Sequence, residues 1–74
     1  MGANDDLEAA ARLFEGAAEE LEQAARHCRT AASHLREREV PRGGAHAWAA
    51  HGHVRSADAL LEEQARMHAR KSSP

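Results

Sequence analysis

A bulky apolar residue recurs at every seventh position through the first half of the chain: Leu7, Phe14, Leu21, Cys28 and Leu35. Three and four residues after each of the first four comes an alanine pair, namely Ala10 and Ala11, Ala17 and Ala18, Ala24 and Ala25, Ala31 and Ala32. Seven residues are two helical turns, so the repeat predicts one long helix. Asn4, Asp5 and Asp6 mark its start, and Asp5 with Glu8 has capping-box spacing. Gly16, Thr30 and Ser33 weaken it by at most about 1 kcal/mol each, and nothing stops it before Glu39. Helix 1 is therefore expected over residues 5–39. The turn is expected at "VPRGG", residues 40–44, because a residue before proline is pushed from helical angles and two glycines follow.

A second helix is expected over residues 45–70, with Ala47, Ala50, Val54, Ala57, Leu61 and Ala65 on one face, and a polar tail over 71–74. Gly52 is read either as a tolerated mid-helix glycine or as a corner that splits off a short helix around Trp48. There is no β-branched run, and the predicted fold is all-α: one small domain, 1–74, built as an antiparallel helical hairpin.

Alternation of large and small residues lets helix axes come closer than the usual 8 to 10 Å. The expected packing seam is Ala11, Ala18, Leu21, Ala25, Cys28, Ala32 and Leu35 from helix 1, with Val54, Ala57 and Leu61 from helix 2. On this register, leucine at Ala18 and Ala25 should wreck the close approach. Charge supports the antiparallel orientation: residues 1–22 carry seven acidic groups and only Arg12, whereas Arg66, Arg70 and Lys71 lie near the other end. Each exposed pair would contribute only about 0.2 to 1 kcal/mol, enough to favour an orientation.

Eighteen alanines and two aromatic residues, Phe14 and Trp48, leave little side-chain area to bury. A lone hairpin of this composition should need a partner, either a second copy in a four-helix bundle, with a dimer the simplest case, or another protein. Leu7, Leu13 and Phe14, at the overhanging start of helix 1, and Trp48, Leu60 and Met67, off the helix 2 seam, are the candidate interaction face. Trp48, Leu60 and Met67 alternatively cover an edge of the hairpin itself.

The formal charge of −2 argues against a nucleic-acid partner, which usually selects a basic surface. No apolar run approaches the ~20 residues of a membrane span, and the start lacks a basic-then-apolar leader. The expectation is a cytoplasmic chain with no membrane partner, the alternative being secretion without a cleavable signal peptide. The single cysteine, Cys28, cannot form an internal disulfide and reads as a small apolar residue rather than a reactive thiol.

Six histidines are many for 74 residues, and none are spaced H-x-x-x-H to meet on one helix face. His27 and His34, like His46 and His53, are seven apart. In a hairpin His34 comes level with His46 and His53, which makes those three, with Glu37 or Glu39, candidate metal ligands; solvated or capping histidines are the alternative. No catalytic constellation is present: Ser33 with His34 and Ser56 with Asp58 point to different sides of a helix, and "RGG" is not a phosphate loop. Glu8, Glu15, Glu19 and Glu22 read as a solvated face. No enzyme activity and no cofactor are expected. The leading function is a protein–protein interaction or adaptor module working through helix packing and self-association; the alternative is a histidine-dependent metal or pH-responsive binder.

The alanine-rich, acid-rich hairpin with Trp48 near its turn resembles the WXG100 family of ESX-type secreted proteins. That resemblance implies a secreted helical hairpin. The chain departs from the family motif, since Trp48 is followed by Ala49 and Ala50 with glycine only at Gly52, and no tyrosine exists to form the family's export signal. Residues 52–65, with Gly52, Ala57, Leu60, Leu61 and Ala65, also look like the second helix of a tetratricopeptide repeat, which implies a docking role.

Overall fold

In the computed structural model, residues 3–72 are described, with side chains described for residues 5–70. The chain forms two helices, α1 over Ala3–Arg36 and α2 over Val40–Ser72, packed against each other as an antiparallel hairpin. The predicted polar tail divides: residues 71 and 72 continue α2, and residues 73 and 74 lie outside the described residues. The molecule measures 55 × 19 × 12 Å, the shape of two helices side by side. No helix among the described residues is long and apolar enough to cross a membrane.

The turn lies three residues earlier than "VPRGG" suggests, at Glu37, Arg38 and Glu39. Its hydrogen bonds explain why no glycine is needed there. The Glu39 N–H donates to the His34 carbonyl at 2.8 Å and the Arg38 N–H donates to the Leu35 carbonyl at 3.0 Å. This is the Schellman pattern, which requires a left-handed residue between them, and Arg38 adopts φ 63°. Arginine takes a role usually given to glycine, which is why the helix end is invisible as a motif.

Pro41 then sits in the first turn of α2, where its missing N–H would have had no helical partner. The Gly43 N–H closes that turn on the Glu39 carbonyl at 3.0 Å. Gly43 serves close packing: a Cβ there would lie 3.0 Å from both Cγ and Cδ2 of Leu35. The corner at Gly52 is absent, since α2 runs through it unbroken. A Cβ at Gly52 would meet nothing within 4 Å. Gly52→Ala should accordingly raise stability by up to about 1 kcal/mol, read as a higher denaturation midpoint; an unchanged or lower midpoint would contradict a continuous helix.

The core runs along a heptad one step away from the expected one. Among the described residues the buried apolar side chains are all alanine: Ala17, Ala24, Ala50 and Ala57. With half-buried Ala10 and Ala31 they form one repeat position of α1, answered on α2 by Gly43, Ala50, Ala57 and Gln64. The intervening repeat position holds Leu13, Glu20, His27 and His34 on α1, and His46, His53, Leu60 and Met67 on α2, all half-buried. Of the expected seam only Ala57 is buried; Ala11, Ala25 and Ala32 are half-buried, and Ala18, Leu21, Cys28, Leu35, Val54 and Leu61 are exposed. Alanine and glycine on both sides bring the backbones close, and the bulky residues cannot enter so narrow a gap. They are displaced to the flank.

Candidate functional site

Two features follow from this register, one inside the hairpin and one outside. Inside, the half of the seam nearest the turn is lined by imidazoles rather than leucines. The heptad spacing of His27 with His34, and of His46 with His53, points all four rings between the helices, where they form a ladder. His34 stacks on His46 with centroids 5.4 Å apart, His46 lies 5.1 Å from His27, and His27 stacks on His53 at 5.4 Å.

Carboxylates close both ends of the ladder. The His34 Nδ1–H donates to Glu39 Oε1 at 3.2 Å, and the His53 Nδ1–H donates to Glu20 Oε2 at 2.7 Å. In the middle, Nδ1 of His27 and Nδ1 of His46 are 2.9 Å apart. A hydrogen bond between two ring nitrogens needs one donor and one lone pair, so this central pair carries a single Nδ1 proton. Arg42 donates to the other oxygen of Glu39 at 2.8 Å. The bond from His34, the neighbouring Glu37 and the Arg42 contact together hold the Glu39 carboxyl below its ordinary value, although burial works in the opposite sense. No buried side-chain nitrogen or oxygen among the described residues lacks a partner.

Of the candidate metal ligands, His34 and His46 are stacked neighbours and His53 lies further along the same ladder. Edge-to-edge bonds and face-to-face stacking do not aim their lone pairs at one point. Among the described residues no group of three or more His, Cys, Asp or Glu is placed to hold a metal ion. Glu37 belongs to the turn and His51 points outward against Trp48, ring centroids 6.4 Å apart. Sequence reasoning missed His27 and Glu20. The available signal was the shared seven-residue series through Leu13, Glu20, His27 and His34.

Outside, one broad side of the hairpin is apolar along its length. Leu7, Phe14, Leu21 and Leu35 of α1 are 67, 50, 46 and 53% exposed, and Val40, Val54 and Leu61 of α2 are 64, 46 and 39% exposed. In an antiparallel pair these repeat positions flank the seam on the same side. They lie opposite one another as Leu35 with Val40, Cys28 with Ala47, Leu21 with Val54, and Phe14 with Leu61. Leu7 and His68 confirm the side by lining one recess with Asp6, Ala10, Gln64 and Met67, about 110 Å³ in volume. A second, shallower recess of about 370 Å³ lies over Ala47, bounded by Gly44, Trp48 and His51. The opposite side presents Gly16, Gln23, Thr30, Ser56 and Glu63, which are small or polar.

The candidate interaction face therefore divides. Leu7, Phe14 and Trp48, the last 78% exposed, are accessible. Leu13, Leu60 and Met67 are half-buried in the seam, where the Leu60 side chain covers Gly16. The expected charge pairing also differs: Arg66 and Arg70 turn to Glu63 on their own helix, at 3.3 and 3.8 Å. Cys28 is an exposed free thiol on the apolar side. No protein-family model matches this chain, and neither a curated protein nor a solved structure does.

Proposed function

We propose that the chain is a non-enzymatic interaction module that works by helix packing, self-associating through the apolar broad side of the hairpin. The observation that supports this reading is an inversion: alanine is buried between the helices, whereas Leu7, Phe14, Leu21, Leu35, Val54 and Leu61 are left on one outer side. A continuous apolar strip of this length on a small chain is the mark of an interface, since isolated exposed hydrophobics are ordinary but aligned ones are not. Burying it also supplies the area that a two-helix chain with an alanine core lacks.

Sedimentation across a concentration series tests the reading with two variants. Leu21→Glu places a charge at the centre of the apolar side and is expected to abolish association. Ala59→Glu, at an exposed position of α2 away from that side, is expected to leave it intact. A wild type that stays monomeric and folded, or a dimer indifferent to Leu21→Glu, would refute it.

A second reading is favoured by the ladder of His27, His34, His46 and His53. We infer from it that the hairpin responds to pH, because its inner packing depends on how many protons four adjacent rings carry.

A further inference from the structure

Resting on the reading that the apolar side is an interface, we propose that its occupant is a second copy of this chain. The second copy lies with its turn at the opposite end, so that α1 covers α1 and α2 covers α2, each antiparallel. Two ways of placing a two-fold axis bring this side against itself. An axis along the length stacks α1 on α2 of the second copy with both turns at one end. An axis across the length, near Leu21 and Val54, gives the arrangement proposed.

Side-chain volume distinguishes them. The lengthwise axis sets Phe14 on Leu61 and Cys28 on Ala47, crowding one level and leaving another empty. The crosswise axis sets Phe14 on Cys28 of the second copy and Leu61 on Ala47 of the second copy, large against small at both of these levels. Leu21 then meets Leu21, and Val54 meets Val54. The recess over Ala47 receives Leu61, and the recess between Leu7 and His68 faces Leu35 and Val40, both more than half exposed. Alanines at 11, 18, 25 and 32 run beside the strip and leave the approach of the two α1 helices unobstructed.

Charge gives the same answer. Along the rim of α1 beside these alanines come Glu8, Glu15 and Glu22, then Arg29 and Arg36, acidic toward one end and basic toward the other. Antiparallel α1 helices set Glu8 against Arg36 and Glu15 against Arg29, each pair twice by symmetry. On α2, Asp58 comes level with His51 of the second copy. Like charges meet only near the axis, Glu22 with Glu22 and Arg55 with Arg55, at the outer rim where solvent screens them. The lengthwise axis leaves Arg29 and Arg36 over residues 40–50, which hold no carboxylate.

Cysteine geometry tests the arrangement. In the crosswise dimer the two Cys28 residues are about 20 Å apart along α1, too far to bond, while residue 21 faces itself across the axis. Mild oxidation of a Leu21→Cys, Cys28→Ala chain is expected to give a covalent dimer that keeps its helicity, and oxidised wild type is expected to stay uncrosslinked. Glu15→Arg should weaken the dimer about tenfold, and adding Arg29→Glu should restore it. A ready Cys28 disulfide in wild type, no crosslink at residue 21, or no rescue by the second charge change would overturn this arrangement. A dimer still abolished by Leu21→Glu in that case keeps the apolar side as the interface, whereas a monomeric wild type removes both proposals.

Discussion

Leucine in place of Ala57 should lower stability by roughly 3 kcal/mol, and leucine in place of Ala17 by a similar amount, measured as the shift in urea midpoint at fixed chain concentration. Both alanines are almost wholly enclosed, at 1 and 2% exposure, between backbones with no room for three further carbons. Forcing the helices apart at one level loosens their neighbours, because the contact is set by close backbone approach along the alanine position. Ala59→Leu, two residues from Ala57 but exposed, is the matched control and should change stability by no more than about 0.5 kcal/mol. Equal effects at 57 and 59 would show that the seam runs elsewhere. Leucine at Ala18, expected from the sequence to wreck the helix pair, lands instead on the exposed apolar side.

The second large effect is on acid stability. The Nδ1 atoms of His27 and His46 are 2.9 Å apart and need one donor and one lone pair between them. His53 stacks on His27 and donates to Glu20, and His34 stacks on His46 and donates to Glu39. The Glu39 carboxyl is held below its ordinary value of 4.5, chiefly by the bond from His34, so its contribution is present above that value and disappears as pH falls through the lowered one.

Wild type should therefore lose stability as pH falls below the ordinary carboxyl range, and Glu39→Gln should remove part of that loss, read as a smaller difference in melting temperature between neutral and acid pH. A variant with the full acid sensitivity of wild type would place the responsible groups elsewhere.

Much of the hairpin was legible in the sequence: two helices follow from the heptads and their antiparallel sense from the single break between them, although the charges expected to pair across the hairpin stay on their own helix. The register was not, for a physical reason. Burial of Leu21 or Phe14 gains more area residue by residue, but the closest backbone approach comes from aligning alanine with alanine and glycine. Bulk on the flank is useful only if something else covers it. The turn was missed because its defining feature is the backbone angle of Arg38, while the visible signals, Pro41 and Gly43, serve the start and packing of α2. Three of the four ladder histidines, His34, His46 and His53, follow from proximity in a hairpin, but the ladder's chemistry depends on His27 and Glu20, which a metal-ligand spacing does not select.

The alanine seam has a degeneracy of its own. Ala17, Ala24 and Ala31 are interchangeable, as are Gly43, Ala50 and Ala57, so sliding one helix past the other by seven residues would leave small groups meeting small groups. Such a slip would move Glu20 from His53 to Leu60 and strand a carboxylate against hydrocarbon. The polar ladder thus acts as a key cut at one end of the bar, opposing that slip and reinforcing the alignment that the short turn at Arg38 sets.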